Sequence, residues 1–369
     1  MSQGKNTNFD FTKKGDEDCK SKIDVSNPEY LMDLAGSWNK YQFFQTTIFV
    51  IVVIFFTYSH YLPILYLYVP EHYCLISGGE KHNLTQEDLN NIFIPRIKNE
   101  SRYENCLQYD VDVLRILENG IREPNSSWPL VSCQNGWHYE FENYYNSVAS
   151  EFNFVCENSW KGPLTETVYF VGSSLGMLMY GWIGDYLGRY WTVILSNWFV
   201  CLCGMGLGFS NSYVIYTFIR FLMGISTVTT LTSFFVLAME YVSKSKRTFI
   251  GNFSLGLGIA IAGSIMPALF YVLKDWRLVN HAMYAQVSLT FLLPFFIHES
   301  VRWLLERGQY NKAGKILEKV AKFNGRTLDK NIILELNSRD NENDDEETKK
   351  LPVSLNCLKL QDFEGTSLL

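Results

Sequence analysis

Six stretches of this chain are apolar over about the length that crosses a bilayer: 43–69, 164–183, 191–210, 213–238, 249–273 and 282–298. In hydrocarbon no water satisfies backbone N–H and C=O groups, so each crossing needs about 20 apolar residues wound as a helix. The expected fold is therefore an all-α multi-pass membrane protein. The last stretch is the shortest, with the least defined ends. The mean hydropathy is near zero, but that value averages dense apolar runs with long polar tracts.

The remaining chemistry excludes several classes. The net charge is -6, and no basic run interleaved with aromatics points to nucleic acid. There is no metal-spaced cysteine or histidine set, no phosphate-cradling glycine loop and no nucleophile elbow. The expectation is a protein that is not an enzyme, with no cofactor and no resident metal.

The polar stretches set the topology. The first 40 or so residues are polar, so no cleavable signal peptide is read and the first span is expected to serve as its own insertion signal. Lys5, Lys13, Lys14, Lys20, Lys22 and Lys40 precede that span, which favours a cytoplasmic start. The tract after it carries Cys74, Cys106, Cys133 and Cys156 and three acceptor triplets, at Asn83, Asn99 and Asn125. Four cysteines with three glycosylation acceptors indicate an oxidising outer face. Two disulfides are expected, and the spacing leaves all three connectivities open. The basic loop Lys244-Ser-Lys246-Arg247 again falls inside.

The expected layout has a cytoplasmic start (1–42), a first span (43–69) and an outer cysteine-bearing loop (70–163). Spans two to six (164–298), a cytoplasmic helical segment (299–335) and an acidic disordered linker and tail (336–369) follow. Gly172-x-x-x-Gly176 and Gly204-x-x-x-Gly208 have the small-residue spacing that lets helices approach closely in lipid.

Gly184-Asp185-Tyr-Leu-Gly188-Arg189, preceded by Gly181, joins the second and third stretches. Its spacing, Gly-x-x-Gly-Asp-x-x-Gly-Arg, resembles the loop between the second and third helices of the major facilitator superfamily, with Tyr190 where a second basic residue is usual. Three further motifs are similar to the organic cation, anion and zwitterion transporter branch. They are Cys133-Gln-Asn-Gly136-Trp137-His-Tyr139 with Glu151-Phe-Asn-Phe-Val155-Cys156, then Glu240 with Arg247, and His298-Glu299-Ser-Val-Arg302-Trp-Leu. The last lacks both prolines of that branch's Pro-Glu-Ser-Pro-Arg-Trp-Leu.

The resemblance implies the six-helix N-terminal half of a carrier for small organic ions, in the plasma membrane, with both termini cytoplasmic. It implies that Asp185, Arg189, Glu240, Arg247, Glu299 and Arg302 form ion pairs that make and break as an inner gate closes and opens, the alternative being solvated loop charges that only follow the topology. Arg220 is a cation inside the fourth stretch, costing roughly 2–3 kcal/mol if unpaired, so it is expected to face the bundle, toward a partner or a solute. His60, Tyr58, Phe170 and Phe234 are the further candidates for lining the solute path, with plain packing as the alternative for each aromatic. His60 and Leu231 depart from the aromatics that the cation-transporting branch tends to carry.

One half encloses no cavity alone. The first expectation is a truncated product or incomplete reading of a longer carrier. Its alternatives are a half-transporter that pairs with a second copy, and a non-transporting membrane protein that interferes with a full-length relative.

Overall fold

The computed structural model describes residues 27–36, 38–78, 84–97, 102–141 and 146–350, without the side chains of 341–350. Asn83, Asn99, Cys19, Cys357 and the expected tail 351–369 lie outside the described residues. In chain order the elements begin with α1 (Pro28–Gly36), α2 (Lys40–Tyr66), β1 (His72–Cys74), α3 (Gln86–Phe93), β2 (Leu107–Tyr109) and α4 (Val113–Glu118). Next come β3 (Leu130–Ser132), β4 (Trp137–Tyr139), α5 (Val148–Glu151), α6 (Lys161–Leu187), α7 (Arg189–Leu207) and α8 (Tyr213–Glu240). The chain continues with α9 (Lys244–Leu273), α10 (Trp276–Val287), α11 (Val301–Glu306), α12 (Tyr310–Phe323) and α13 (Lys330–Lys350). The described residues group into two compact units, one within 44–239 and 247–299, the other within 27–43, 240–246 and 300–350.

The larger unit holds the long helices. Among the described residues, four helices are long and apolar enough to cross a membrane: α2, α7, α8 and α9. Two of the six expected spans are not among them. Helix α6 covers the second stretch with 27 residues but is not among those four. Its glycines, serines, Glu166 and Asp185 dilute the apolar character. The sixth stretch does not form one helix. α10 ends at Val287 and a 3-10 segment, Ser288–Phe295, follows. Pro294 lies within it and has no N–H to give. The Thr290 hydroxyl donates to the Val287 carbonyl at 2.6 Å.

Glycine spacing sets how these helices meet. A Cβ on Gly172 or Gly176 would overlap the backbone carbonyls of Phe221 and Ile225, and one on Gly224 would overlap that of Tyr169. α6 and α8 therefore cross with their backbones in contact, which a side chain at those positions would prevent. Likewise Gly204 lies under the Tyr284 ring. The core is rich in buried aromatics, among them Tyr58, Tyr66, Tyr169, Tyr216, Trp276 and Tyr284.

The tract between α2 and α6 is a small lobe with its own core of Ile76, Leu89, Ile92, Phe93, Ile94 and Leu117. β1 pairs antiparallel with β4, and β2 with β3. Of the three open connectivities the structure has Cys74–Cys133 and Cys106–Cys156. The β1–β4 register brings Cys74 opposite Trp137, four residues after Cys133.

The smaller unit is built on α12, whose apolar side, Ala313, Leu317, Val320 and Ala321, is buried. Asn324 ends that helix and clamps the chain start: its Oδ1 accepts from the Tyr41 amide at 2.9 Å and its Nδ2 donates to the Ala35 carbonyl at 2.9 Å. The helical segment expected over 299–335 is not continuous: α11 and α12 are separated at Gly308, where φ is +71°. The acidic stretch 336–350, expected to be disordered, is helical as part of α13. Ile332 and Leu336 are buried there, and Leu336 lies beside Gly314 of α12. That apolar anchor offsets the poor helix propensity of the Asn and Asp residues.

Candidate functional site

The close crossing of α6 and α8 concentrates polar groups inside the larger unit. Glu166, Tyr169, Ser173, Gly176 and Tyr180 recur at three- and four-residue intervals, so they form one stripe of α6. Arg220 is only 1% exposed on α8. Its Nη2 donates to both carboxylate oxygens of Glu166, at 2.9 and 3.1 Å. Its guanidinium lies 4.4 Å from the centre of the Tyr169 ring, a cation–π contact that strengthens away from water. The Tyr169 hydroxyl is 3.0 Å from Nδ1 of His60 on α2. The His60 ring stacks on Phe56 and meets Phe170 edge-on. A second chain of bonds runs from the Tyr284 hydroxyl to Ser59 at 3.0 Å. A third runs from the Tyr66 hydroxyl to Asn280, which donates to the Gly204 carbonyl.

Three of the five expected solute-path residues, Arg220, His60 and Phe170, thus gather around Tyr169. The other two sit elsewhere. Phe234 is fully buried and stacked on Phe49. Tyr58 is also fully buried, with no hydrogen-bond partner for its hydroxyl among the described residues. Glu166 was not anticipated. The signal that marks it is its place on the stripe containing Gly176, since the Gly172-x-x-x-Gly176 spacing predicts which side of α6 meets another helix.

An open cavity of about 390 Å³ borders this network, lined by residues at the end of α2 and the start of α6, with Glu166 in its wall.

The six charges expected at an inner face fall in both units. In the larger one, Asp185 and Arg189 pair at 3.0 Å. Glu299 accepts the Tyr190 amide at 3.1 Å, a carboxylate at the positive end of α7. Gly188 has φ +101°, and a Cβ there would overlap the Glu299 carboxylate. Glycine is therefore required twice over at this turn. Arg247 is half-buried. In the smaller unit Arg302 pairs with Glu306 at 2.9 Å. That hydrogen bond and the Glu306 charge push the Arg302 guanidinium above its usual range, and Glu240 and Glu29 add to the effect.

A further set of contacts ties the end of the disulfide lobe to the helices. Arg277 pairs with Glu151, and Trp276 donates to the same carboxylate at 2.7 Å. Arg277 also donates to the Ser210 carbonyl between α7 and α8. His72 lies beside Cys106 and Cys156 in a grouping that resembles a metal site. Those two sulfurs are bonded to each other, so neither is a thiolate ligand.

The family profile for sugar (and other) transporters matches residues 129–363. The beta-alanine transporter of Drosophila melanogaster is 28% identical over 287 residues, covering 72% of this chain and 46% of that protein. Organic cation/carnitine transporter 2 of Rattus norvegicus is 28% identical over 274 residues, covering 69% of this chain and 47% of that protein. Among solved structures, a partially occluded inward-open xylose transporter XylE from E. coli aligns over 83% of this chain and 60% of its own. Its TM-score is 0.46 and its identity 13%, and we draw nothing from that likeness. The chain spans about half the length of the curated relatives it matches. On the family match, the chain is a multi-pass membrane protein of the sugar (and other) transporter family, and organic cation transporters are among the relatives it resembles.

Proposed function

We propose that this chain supplies the N-terminal, six-segment half of a carrier that moves small organic ions across the plasma membrane by alternating access. The observation that carries this reading is the Glu166–Arg220 pair. Ionisable groups buried among apolar helices are costly, and they mark solute or ion paths when they face a bundle interior. Here one group of each sign is held beside Tyr169 and His60. Such a site suits a small organic ion. Beta-alanine and carnitine, named for two relatives, each carry a cationic nitrogen, so a small solute with a cationic nitrogen is the favoured one.

In this reading Arg220, His60 and Phe170 belong to the solute path, with Tyr58 and Phe234 as packing behind it. Asp185, Arg189, Glu240, Arg247, Glu299 and Arg302 bias an inner gate, each pair contributing on the order of 1 kcal/mol to a two-state balance. The disulfide lobe faces outward, carries glycans at Asn83, Asn99 and Asn125, and both termini are cytoplasmic. The second half is supplied by continuation of the chain, by a second copy or by a full-length relative.

Uptake of labelled carnitine and beta-alanine by transporter-null cells tests this, with the chain expressed alone and together with the second half of a relative. The expected result is uptake above background in at least one arrangement, lost with Arg220→Gln and reduced with Arg189→Gln at equal surface display. Normal surface display with no uptake in either arrangement refutes transport and leaves the interfering-partner reading.

A further inference from the structure

We infer that Glu166 is the cation-receiving group of a solute site that opens through the cavity at the end of α2 and the start of α6. This deepens the proposed function and rests on it for the solute being a small organic ion. The cavity holds about 390 Å³, and Pro63, Ile64, Leu67, Val69 and Phe154 give it an apolar wall. That volume is within the range of small-molecule sites, roughly 300–1,000 Å³. Among the described residues that line it, Glu166 is the one charged group. An apolar shell with a single carboxylate selects an ammonium ion bearing alkyl groups: the nitrogen meets the carboxylate and the alkyl groups meet the wall. An anion or a polyhydroxylated sugar gains nothing from the same lining.

The pair is asymmetric in a way that supports this. The Arg220 side chain is 1% exposed, whereas Glu166 is 28% exposed. The open side of the pair is the carboxylate. Both of its oxygens bond a single nitrogen, Nη2, which uses two of the roughly four acceptor positions a carboxylate has. The rest remain for a ligand. Arg220, fixed over the Tyr169 ring, is a positioning residue that holds the carboxylate at the cavity wall.

The test is binding of tetraethylammonium and choline to the chain in lipid nanodiscs, against 3,3-dimethylbutan-1-ol, the neutral isostere of choline. Two variants are compared. Glu166→Gln removes the charge and keeps the shape. Ile64→Trp fills the cavity from a largely exposed position and leaves the ion pair intact, so it reports even if the first variant folds poorly. The expected result is that both cations bind and the alcohol does not, with at least a tenfold weaker dissociation constant in each variant. Tetraethylammonium binding unchanged in folded Glu166→Gln or Ile64→Trp overturns the inference, as does equal binding of choline and its isostere. Carnitine uptake measured on the same variants separates the two readings. Unchanged cation binding with intact uptake sinks the Glu166 site alone, and absence of both binding and uptake sinks the carrier reading with it.

Discussion

Replacing Glu166 by leucine removes the carboxylate that, among the described residues, pairs with the buried Arg220 guanidinium. Losing one partner of a buried ion pair costs about 3–5 kcal/mol, because the remaining charge is left in low dielectric. Two observations place this case at the low end. Glu166 is 28% exposed, so the pair was not wholly desolvated. The Tyr169 ring stays 4.4 Å from the guanidinium, retaining a contact worth up to about 2 kcal/mol away from water. The expected loss for Glu166→Leu is therefore about 3 kcal/mol, a rise of roughly 100-fold in the unfolded fraction. The double variant Glu166→Leu with Arg220→Met leaves no charge to strand and is expected within about 1 kcal/mol of the parent, as apolar replacement of a whole buried pair is often neutral. Denaturant-induced unfolding in a mild detergent, read by tryptophan fluorescence, measures all three proteins. A single variant as stable as the parent, or a double variant less stable than the single, would refute this account of the pair.

Other regions give independent expectations. Gly176→Val drives a side chain into the Ile225 carbonyl and is expected to part α6 from α8, seen as loss of the monodisperse peak in size exclusion. Replacing Cys74 and Cys133 together by serine opens a link with a sequence separation of 59 and is expected to destabilise the lobe by about 4 kcal/mol on chain-entropy grounds, measured by thermal melting. Burial pushes the Tyr139 hydroxyl up to about 12, so between pH 10 and 12 the unfolded chain loses a proton that the folded lobe keeps. Stability is then full below pH 10 and falls through that window, by about 1–2 kcal/mol after allowing for solvent screening, and Tyr139→Phe should flatten this part of the pH profile. Asn125 is exposed in a turn, accepting from the Ser127 amide, and Asn125→Gln is expected to remove one endoglycosidase-sensitive mobility step on gels. A mobility unaltered by either treatment counts against an outward-facing lobe.

Apolar length was enough to read the long helices, because hydrocarbon demands an internally bonded helix wherever the chain crosses it. The glycine spacings on α6 and α7 were equally legible, since a missing side chain is a local property with a steric consequence. Arg220 announced that a partner must exist, but nothing near it in the chain named Glu166, 54 positions earlier. Nor did cysteine spacing select Cys74–Cys133 over the alternatives. The turn at Gly188 showed its need for flexibility, while the carboxylate that fills the space beside it comes from Glu299. The acidic stretch within α13 read as unstructured by composition, yet Leu336 anchors it on α12. Solvent and sterics act residue by residue, so they leave a mark in the local pattern. Which charge meets which, and which sulfur meets which, depends on helices and strands brought together in space, and only the folded structure decides that.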